Sequence, residues 1–111
     1  MKKIFVYVAS PYTKGDVAVN VRVNVEAGDK IARLGFVPFI PLLTHFWHML
    51  FPHPYEFWTA MDLHWIYNCD ALLRLPGESS GADAEVAYAQ RLGIPVFYTI
   101  EALQAAFPEV G

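Results

Sequence analysis

Four short apolar runs, each bounded by proline or glycine, restrict what this chain can become more than any other feature. Ile4 to Ser10 (IFVYVAS) ends at Pro11, Phe36 to Ile40 closes at Pro41, Ala71 to Leu75 (ALLRL) is cut off by Pro76-Gly77, and Ile94 to Tyr98 follows Gly93. Runs of this length, rich in β-branched and aromatic residues, suit strands buried on both faces. The stretch after the first run is ambiguous, because Val17, Val19, Val21, Val23 and Val25 alternate with other residues as in an amphipathic strand. Val19, Val23, Ala27 and Ile31, however, continue at four-residue spacing where the alternation ends, and Leu34-Gly35 supplies a helix stop, so a helix is predicted. Further helices are predicted from about Tyr55 to Asn68, from Ser80 to about Leu92, and near Glu101 to Ala106. Pro52 and Pro54 break the run Phe46 to Phe51 into irregular or short helical structure.

Alternation of strand and helix predicts an α/β chain, a flavodoxin/Rossmann-like three-layer sandwich. Its parallel sheet of four to five strands takes the order 2-1-3-4, with right-handed crossovers. Ligands of such sheets sit at the carboxyl ends of the strands, near the switch point between strands one and three.

Composition narrows the partners. A length of 111 residues fits a single domain, 1–111, with one core; 55% hydrophobic and 17% charged residues exclude extended disorder. The net charge of -3 and only eight scattered Lys and Arg argue against a nucleic-acid polymer, while small anions remain compatible. Cys69 stands alone and forms no internal disulfide. No signal-peptide succession opens the chain, and the apolar stretches are too short and broken to span a bilayer, so a cytoplasmic protein without a membrane partner is expected.

Four loci meet at the expected ligand edge: Tyr7 with Ser10-Pro11-Tyr12-Thr13, Pro41 to His45, Arg74-Leu75-Pro76-Gly77, and the segment beginning Ser79-Ser80-Gly81-Ala82-Asp83-Ala84-Glu85. In the last, Ser80 can cap a helix while Asp83, three residues on, reaches back as a capping box, which by itself marks only a helix start. Glu85 is not explained that way. It borders the Ala82, Val86, Ala89, Gly93 face predicted to pack on the sheet, and Gly81 and Ala89, four residues to either side, leave room above its carboxylate. Free amides at the helix start, with the Ser79 hydroxyl, offer a seat for an anion. Asp62 lies between Trp58, Thr59, Trp65 and Ile66, where it either bonds a backbone group or Arg74, or meets a ligand that the aromatics also cover. Asp70 reads as a turn or capping group before its strand, or as part of the site. Arg74, unusual in a buried strand, either pairs with Asp62 or Asp70 or binds phosphate.

The order Tyr7-Val8-Ala9-Ser10-Pro11-Tyr12, then Asp62-Leu63 and Asp70 flanking a helix end, then Ser79-x-Gly81-x-x-x-Glu85-x-x-x-Ala89 before Gly93-Ile94-Pro95-Val96, resembles the nucleoside 2-deoxyribosyltransferase superfamily over nearly the whole chain. It is similar above all to short members that share the Ser-x-Gly-Ala-x-x-Glu string. The resemblance implies that Glu85 attacks or stabilises the sugar C1′ while the N-glycosidic bond breaks, a task for a carboxylate because the transition state resembles an oxocarbenium ion. Asp62 would contact or protonate the departing base, and Tyr7 would orient Glu85. Proximity to the positive helix end should keep Glu85 ionised. Ser10, Tyr12, Asp70, Arg74, Ser79 and Gly81 are the substrate-binding candidates. Ser79 matches a serine of the nucleoside-monophosphate N-glycosidase branch, where it helps hold the 5′-phosphate; the transferase branch tends to carry Asp there. The expected activity is therefore an N-glycosidase on a (deoxy)nucleoside 5′-monophosphate, with a deoxyribosyltransferase or a non-catalytic nucleotide-binding domain as alternatives and no cofactor.

Thr44 to Trp58 (THFWHMLFPHPYEFW) is more aromatic than the resemblance requires. It reads as a base-stacking lid, a packed flap over the core or a dimer contact, and its apolar excess favours a homodimer or higher homo-oligomer. His45, His48 and His53 find no Cys or acidic partner at a known metal spacing, so no metal is expected.

Overall fold

The computed structural model describes residues 2–110. The elements run β1 (Phe5–Ala9), α1 (Val17–Arg33), β2 (Val37–Phe39), a 3₁₀ turn (Pro41–Leu43), α2 (Thr44–Leu50), α3 (Tyr55–Tyr67), β3 (Ala71–Arg74), α4 (Ser80–Arg91), β4 (Val96–Phe97) and α5 (Ile100–Ala106). All strand pairs are parallel, in the order β2-β1-β3-β4. This is the expected three-layer α/β architecture with four strands. Pro38, which has no N–H for a ladder, sits in the edge strand β2, where that lack is tolerated.

The ambiguous valine stretch is a helix. Asp16 caps it by accepting a hydrogen bond from the Val19 amide (3.0 Å), and Gly35, at φ 106°, follows its end. The buried stripe is Val21, Asn24, Ala27, Gly28 and Ile31, while Val19 and Val23 are 55% and 43% exposed, so only Ala27 and Ile31 of the expected face point inward. Asn24 marks the buried face. Its Nδ2 donates to the Val8 carbonyl (3.0 Å) and the Ser10 hydroxyl (2.8 Å), and its Oδ1 accepts from the Leu42 amide (3.2 Å). Gly28 lets α1 approach the end of β2, because a Cβ there would collide with the Ile40 side chain.

Side chains of β1 alternate between two cores. Val6 and Val8 face Ala27, Ile31 and Leu103 from α1 and α5. Tyr7 and Ala9 face Ile66, Ala82 and Ala89 from α3 and α4. The second face carries the candidate site.

Candidate active site

A cleft of about 770 Å³ opens beyond the carboxyl ends of β1 and β3, between the loop after β1, the α2 and α3 helices and the start of α4. Tyr7, Asp62 and Glu85 all line it. Tyr7 is fully buried, and its hydroxyl donates to Glu85 Oε2 at 2.5 Å. Its ring stacks on Phe39 (centroids 5.5 Å apart), which stacks in turn on Trp65 (4.4 Å). These contacts fix the direction of the hydroxyl.

Electrostatics in this corner follow from desolvation. Burial pushes Glu85 up to about 7; the nearby Asp62 adds to the rise, and the Tyr7 hydrogen bond and Arg74 offset part of it. Burial likewise pushes Asp62 up to about 7, with the Tyr7 hydroxyl opposing. Tyr7 itself is raised well above its ordinary value, first by burial and then by Glu85 and Asp62, so it remains a proton donor. The expectation that the helix start keeps Glu85 ionised is corrected. Glu85 is the sixth residue of α4, beyond the first turn where the helix field is strong, and loss of water outweighs that field. With both carboxyls raised to about 7, states with one of the two protonated are populated at pH 7.

The start of α4 differs from the expectation in detail. Ser79, not Ser80, is the N-cap: its Oγ accepts from the Ala82 amide at 3.0 Å. Asp83 does not close a capping box, because its carboxylate accepts from Arg74 Nη2 at 2.9 Å. Arg74, 8% exposed, also donates to the carbonyls of Leu75 and Gly77 (the latter at 2.9 Å). The guanidinium therefore ties the turn after β3 to α4, pairing with neither Asp62 nor Asp70, and does not line the cleft. Gly77 adopts φ 118°, and a Cβ there would meet Pro11 at 2.7 Å, so glycine permits the two rim loops to touch. Gly81 lines the cleft opposite Tyr55, whose hydroxyl would stand 3.4 Å from a Cβ at that position.

Of the other candidates, Ser10 and Tyr12 lie in the cleft wall. Ser10 is held by Asn24, and the Tyr12 hydroxyl shares a 2.5 Å hydrogen bond with His45 Nδ1. Asp70 is remote from them. It sits at the amino end of the sheet, accepting from the Phe5 amide (2.9 Å) and meeting Lys2 Nζ at 3.5 Å, in keeping with its reading as a turn group.

Two residues behind the cleft wall went unrecognised in the sequence, and the aromatic segment Thr44 to Trp58 makes contacts within the wall that no spacing disclosed. Asn20 Nδ2 donates to the carbonyls of Tyr12 and Lys14, and Asn24 secures Ser10, so two asparagines one turn apart on α1 organise the loop after β1. Their signal was a pair of polar residues at i and i+4 within a valine stripe. Trp58 Nε1 donates to His48 Nδ1 at 2.9 Å, and His53 stacks on Phe57 with centroids 3.9 Å apart. Lys14 and Glu78 pair at 2.7 Å across the rim. Among the described residues no group of three or more His, Cys, Asp and Glu side chains is disposed to hold a metal ion.

The parallel sheet in this order is Rossmann-like, and two carboxyls line the cleft near its switch point. The 2-deoxyribosyltransferase of the psychrotolerant bacterium Bacillus psychrosaccharolyticus superposes with a TM-score of 0.62 at 22% identity, covering 83% of this chain and 69% of that one, a likeness of fold. Residues 4–99 match the family described as a domain of unknown function, DUF7768, and the chain belongs to that family. No curated protein matches it. No helix among the described residues is long and apolar enough to cross a membrane.

Proposed function

We propose that the protein is an N-glycosidase that cleaves the base–sugar bond of a (deoxy)nucleoside 5′-monophosphate. The observation that carries this reading is the Tyr7–Glu85–Asp62 cluster, a buried donor and two coupled carboxyls lining one cleft. In the state with one of the two carboxyls protonated, an ionised Glu85 attacks C1′ and a protonated Asp62 gives its proton to the departing base nitrogen as the C1′–N bond breaks. The resulting glycosyl ester is hydrolysed by water, whose proton returns to the Asp62 carboxylate, releasing the sugar phosphate and Glu85. Both groups need values near the working pH to act in opposite senses, and burial raises both to about 7. Tyr7 orients Glu85 and contributes no proton to the products.

The phosphate would be received at the start of α4. Ser79 Oγ accepts from Ala82 and so keeps its own proton to donate, and the Ser80 and Gly81 amides belong to the first turn, where no intrahelical acceptor exists. Trp58 and Tyr12 in the cleft wall offer aromatic surface to a base, a contact worth roughly 1–3 kcal/mol. Incubation with a panel of ribo- and deoxyribonucleoside monophosphates, followed by chromatography for free base, tests the reading. Release of base by the wild type and none by Glu85→Gln is the expected result; no release from any nucleotide by folded protein sinks it.

The likeness to a 2-deoxyribosyltransferase favours a second reading, transfer of the sugar to another base. An acceptor base added to the same assay separates the two. Transfer requires exchange to exceed hydrolysis.

A further inference from the structure

Two histidines of α2 line the cleft, and their hydrogen bonds do not define them equally. His45 Nδ1 meets the Tyr12 hydroxyl, a group that can donate or accept, so either ring tautomer satisfies that contact. His48 has no such freedom. Its Nδ1 lies 2.9 Å from Trp58 Nε1, and an indole nitrogen only donates, so Nδ1 must offer its lone pair. The His53 amide, a second donor, approaches the same atom at 3.4 Å. The neutral imidazole therefore carries its proton on Nε2. Trp58 is itself held edge-on by Trp47, His53 and Phe57, with ring centroids 5.0, 5.5 and 4.9 Å away, so its bond to His48 has a fixed direction.

Among the described residues no hydrogen bond uses His48 Nε2, and no buried side-chain nitrogen or oxygen lacks a partner. Nε2 is thus an accessible donor on a residue of the cleft wall. Trp58 also sets its place. Trp58 and Asp62 stand four residues apart on α3 and both line the cleft, so they are neighbours on one face of that helix. The imidazole bonded to Trp58 accordingly stands about one helical turn from the carboxyl assigned to protonate the departing base. Two neighbouring donors call for two neighbouring acceptors. As the C1′–N9 bond of a purine breaks, N7 can take the proton, and the next group on that edge is the O6 acceptor in a 6-oxopurine but an amino donor in a 6-aminopurine.

We propose that His48 Nε2–H reads the base in this cleft and selects a 6-oxopurine over a 6-aminopurine. The proposal rests on the N-glycosidase reading for the orientation of the base toward Asp62, and it adds the class of base. O6 pairs with the imidazole while N7 pairs with Asp62; an amino group in the place of O6 sets donor against donor and leaves both unpaired. His48 handles no proton of the reaction.

The decisive comparison is the binding of 9-methylhypoxanthine and 9-methyladenine to the folded wild type, because the methyl group keeps N7 an acceptor and neither compound carries a sugar to cleave. The oxopurine should bind about tenfold or more tighter. Nitrogen-15 NMR should show His48 protonated at Nε2, with that signal moving when the oxopurine binds. His48→Phe should bring the two affinities together, and His48→Gln, whose amide reaches the Nε2 position, should restore part of the preference. If a variant loses its helical circular dichroism, the wild-type binding and NMR decide. Equal binding, a preference for the adenine compound, no binding of either, or an Nδ1–H tautomer overturns the proposal. Base release from inosine and adenosine 5′-monophosphates keeps it apart from the hydrolytic reading. No release from either, with the oxopurine still bound in preference, removes the hydrolysis and leaves the selectivity standing; equal release from both overturns the selectivity and leaves the hydrolysis.

Discussion

The two faces of the sheet are built from alternate residues of the same strands yet hold different things. On the α1/α5 side, Val6, Val8, Ile31, Leu73 and Leu103 make an apolar layer with no titratable group. On the α3/α4 side, one residue away along β1, Tyr7 points a hydroxyl at a half-buried carboxylate. The first face gains stability from each group it buries, by roughly 0.8 kcal/mol per methylene. The second takes carboxyls out of water, which costs stability at neutral pH. A sheet this small can carry a strained site on one face because the other is wholly devoted to packing.

Glu85→Gln should separate the faces most sharply. On the proposed reading it lowers base release by roughly 10⁴-fold or more, the scale seen when a catalytic nucleophile is removed. The same change should stabilise the fold at pH 8. Glu85 has a folded value of about 7 against an ordinary 4.5, so the stability it allows is whole below about pH 4.5 and is lost as pH rises through about 7. Removing the charge recovers up to about 3 kcal/mol at pH 8. Urea unfolding at pH 5 and pH 8 reads this, and a variant less stable than wild type at pH 8 would break the comparison. Ile31→Ala should do the reverse. Emptying a fully buried position on the packing face costs about 2–5 kcal/mol while leaving the pH profile of activity in place.

Much of this division was legible in the sequence, and the exceptions share a cause. The four punctuated runs disclosed the strands and their order, because a strand buried on both faces requires an apolar run and a parallel sheet requires a helix between runs. Asp62 was legible as a carboxylate on an aromatic face and Glu85 as one that the helix start leaves unexplained, whereas Tyr7 was marked by its place at the carboxyl edge and by the family resemblance. What escaped was pairing across long separations. Whether Arg74 meets Asp62, Asp70 or Asp83 depends on how the turn at Gly77 delivers the start of α4, and no local pattern specifies that. The buried face of α1 was misjudged at Val19 and Val23 because four-residue spacing favours the valine row, while the actual stripe includes an asparagine whose burial makes sense only once the Val8, Ser10 and Leu42 partners are in place. The Glu85 proton affinity was misjudged because burial, a tertiary property, overrides the helix field.

Tyr7→Phe sharpens the comparison within one side chain. The ring and its stack on Phe39 are retained, so the packing function of the position survives and stability should change little. The hydrogen bond that favours the ionised Glu85 is lost, so the carboxyl rises further and the acid limb of the rate profile moves to higher pH. Near neutrality the rate should fall about tenfold, in line with the loss of one positioning bond of about 1.4 kcal/mol. A profile that keeps its shape and position would show that Tyr7 belongs to the packing side after all.

Asp70→Ala extends the contrast from the faces of the sheet to its ends and carries the smallest expected effect. Asp70 accepts from the Phe5 amide at the amino end, so its removal leaves that donor to water at a cost of about 1 kcal/mol. Its 3.5 Å pair with Lys2 adds little, because the lysine is 80% exposed and screened. Nothing connects it to the cleft at the opposite end of β1 and β3, so turnover should match the wild type even though the variant unfolds at lower urea. If turnover falls while folding is intact, the amino end of the sheet feeds into the chemistry, and the site cannot be confined to the carboxyl edge where Tyr7, Asp62 and Glu85 meet.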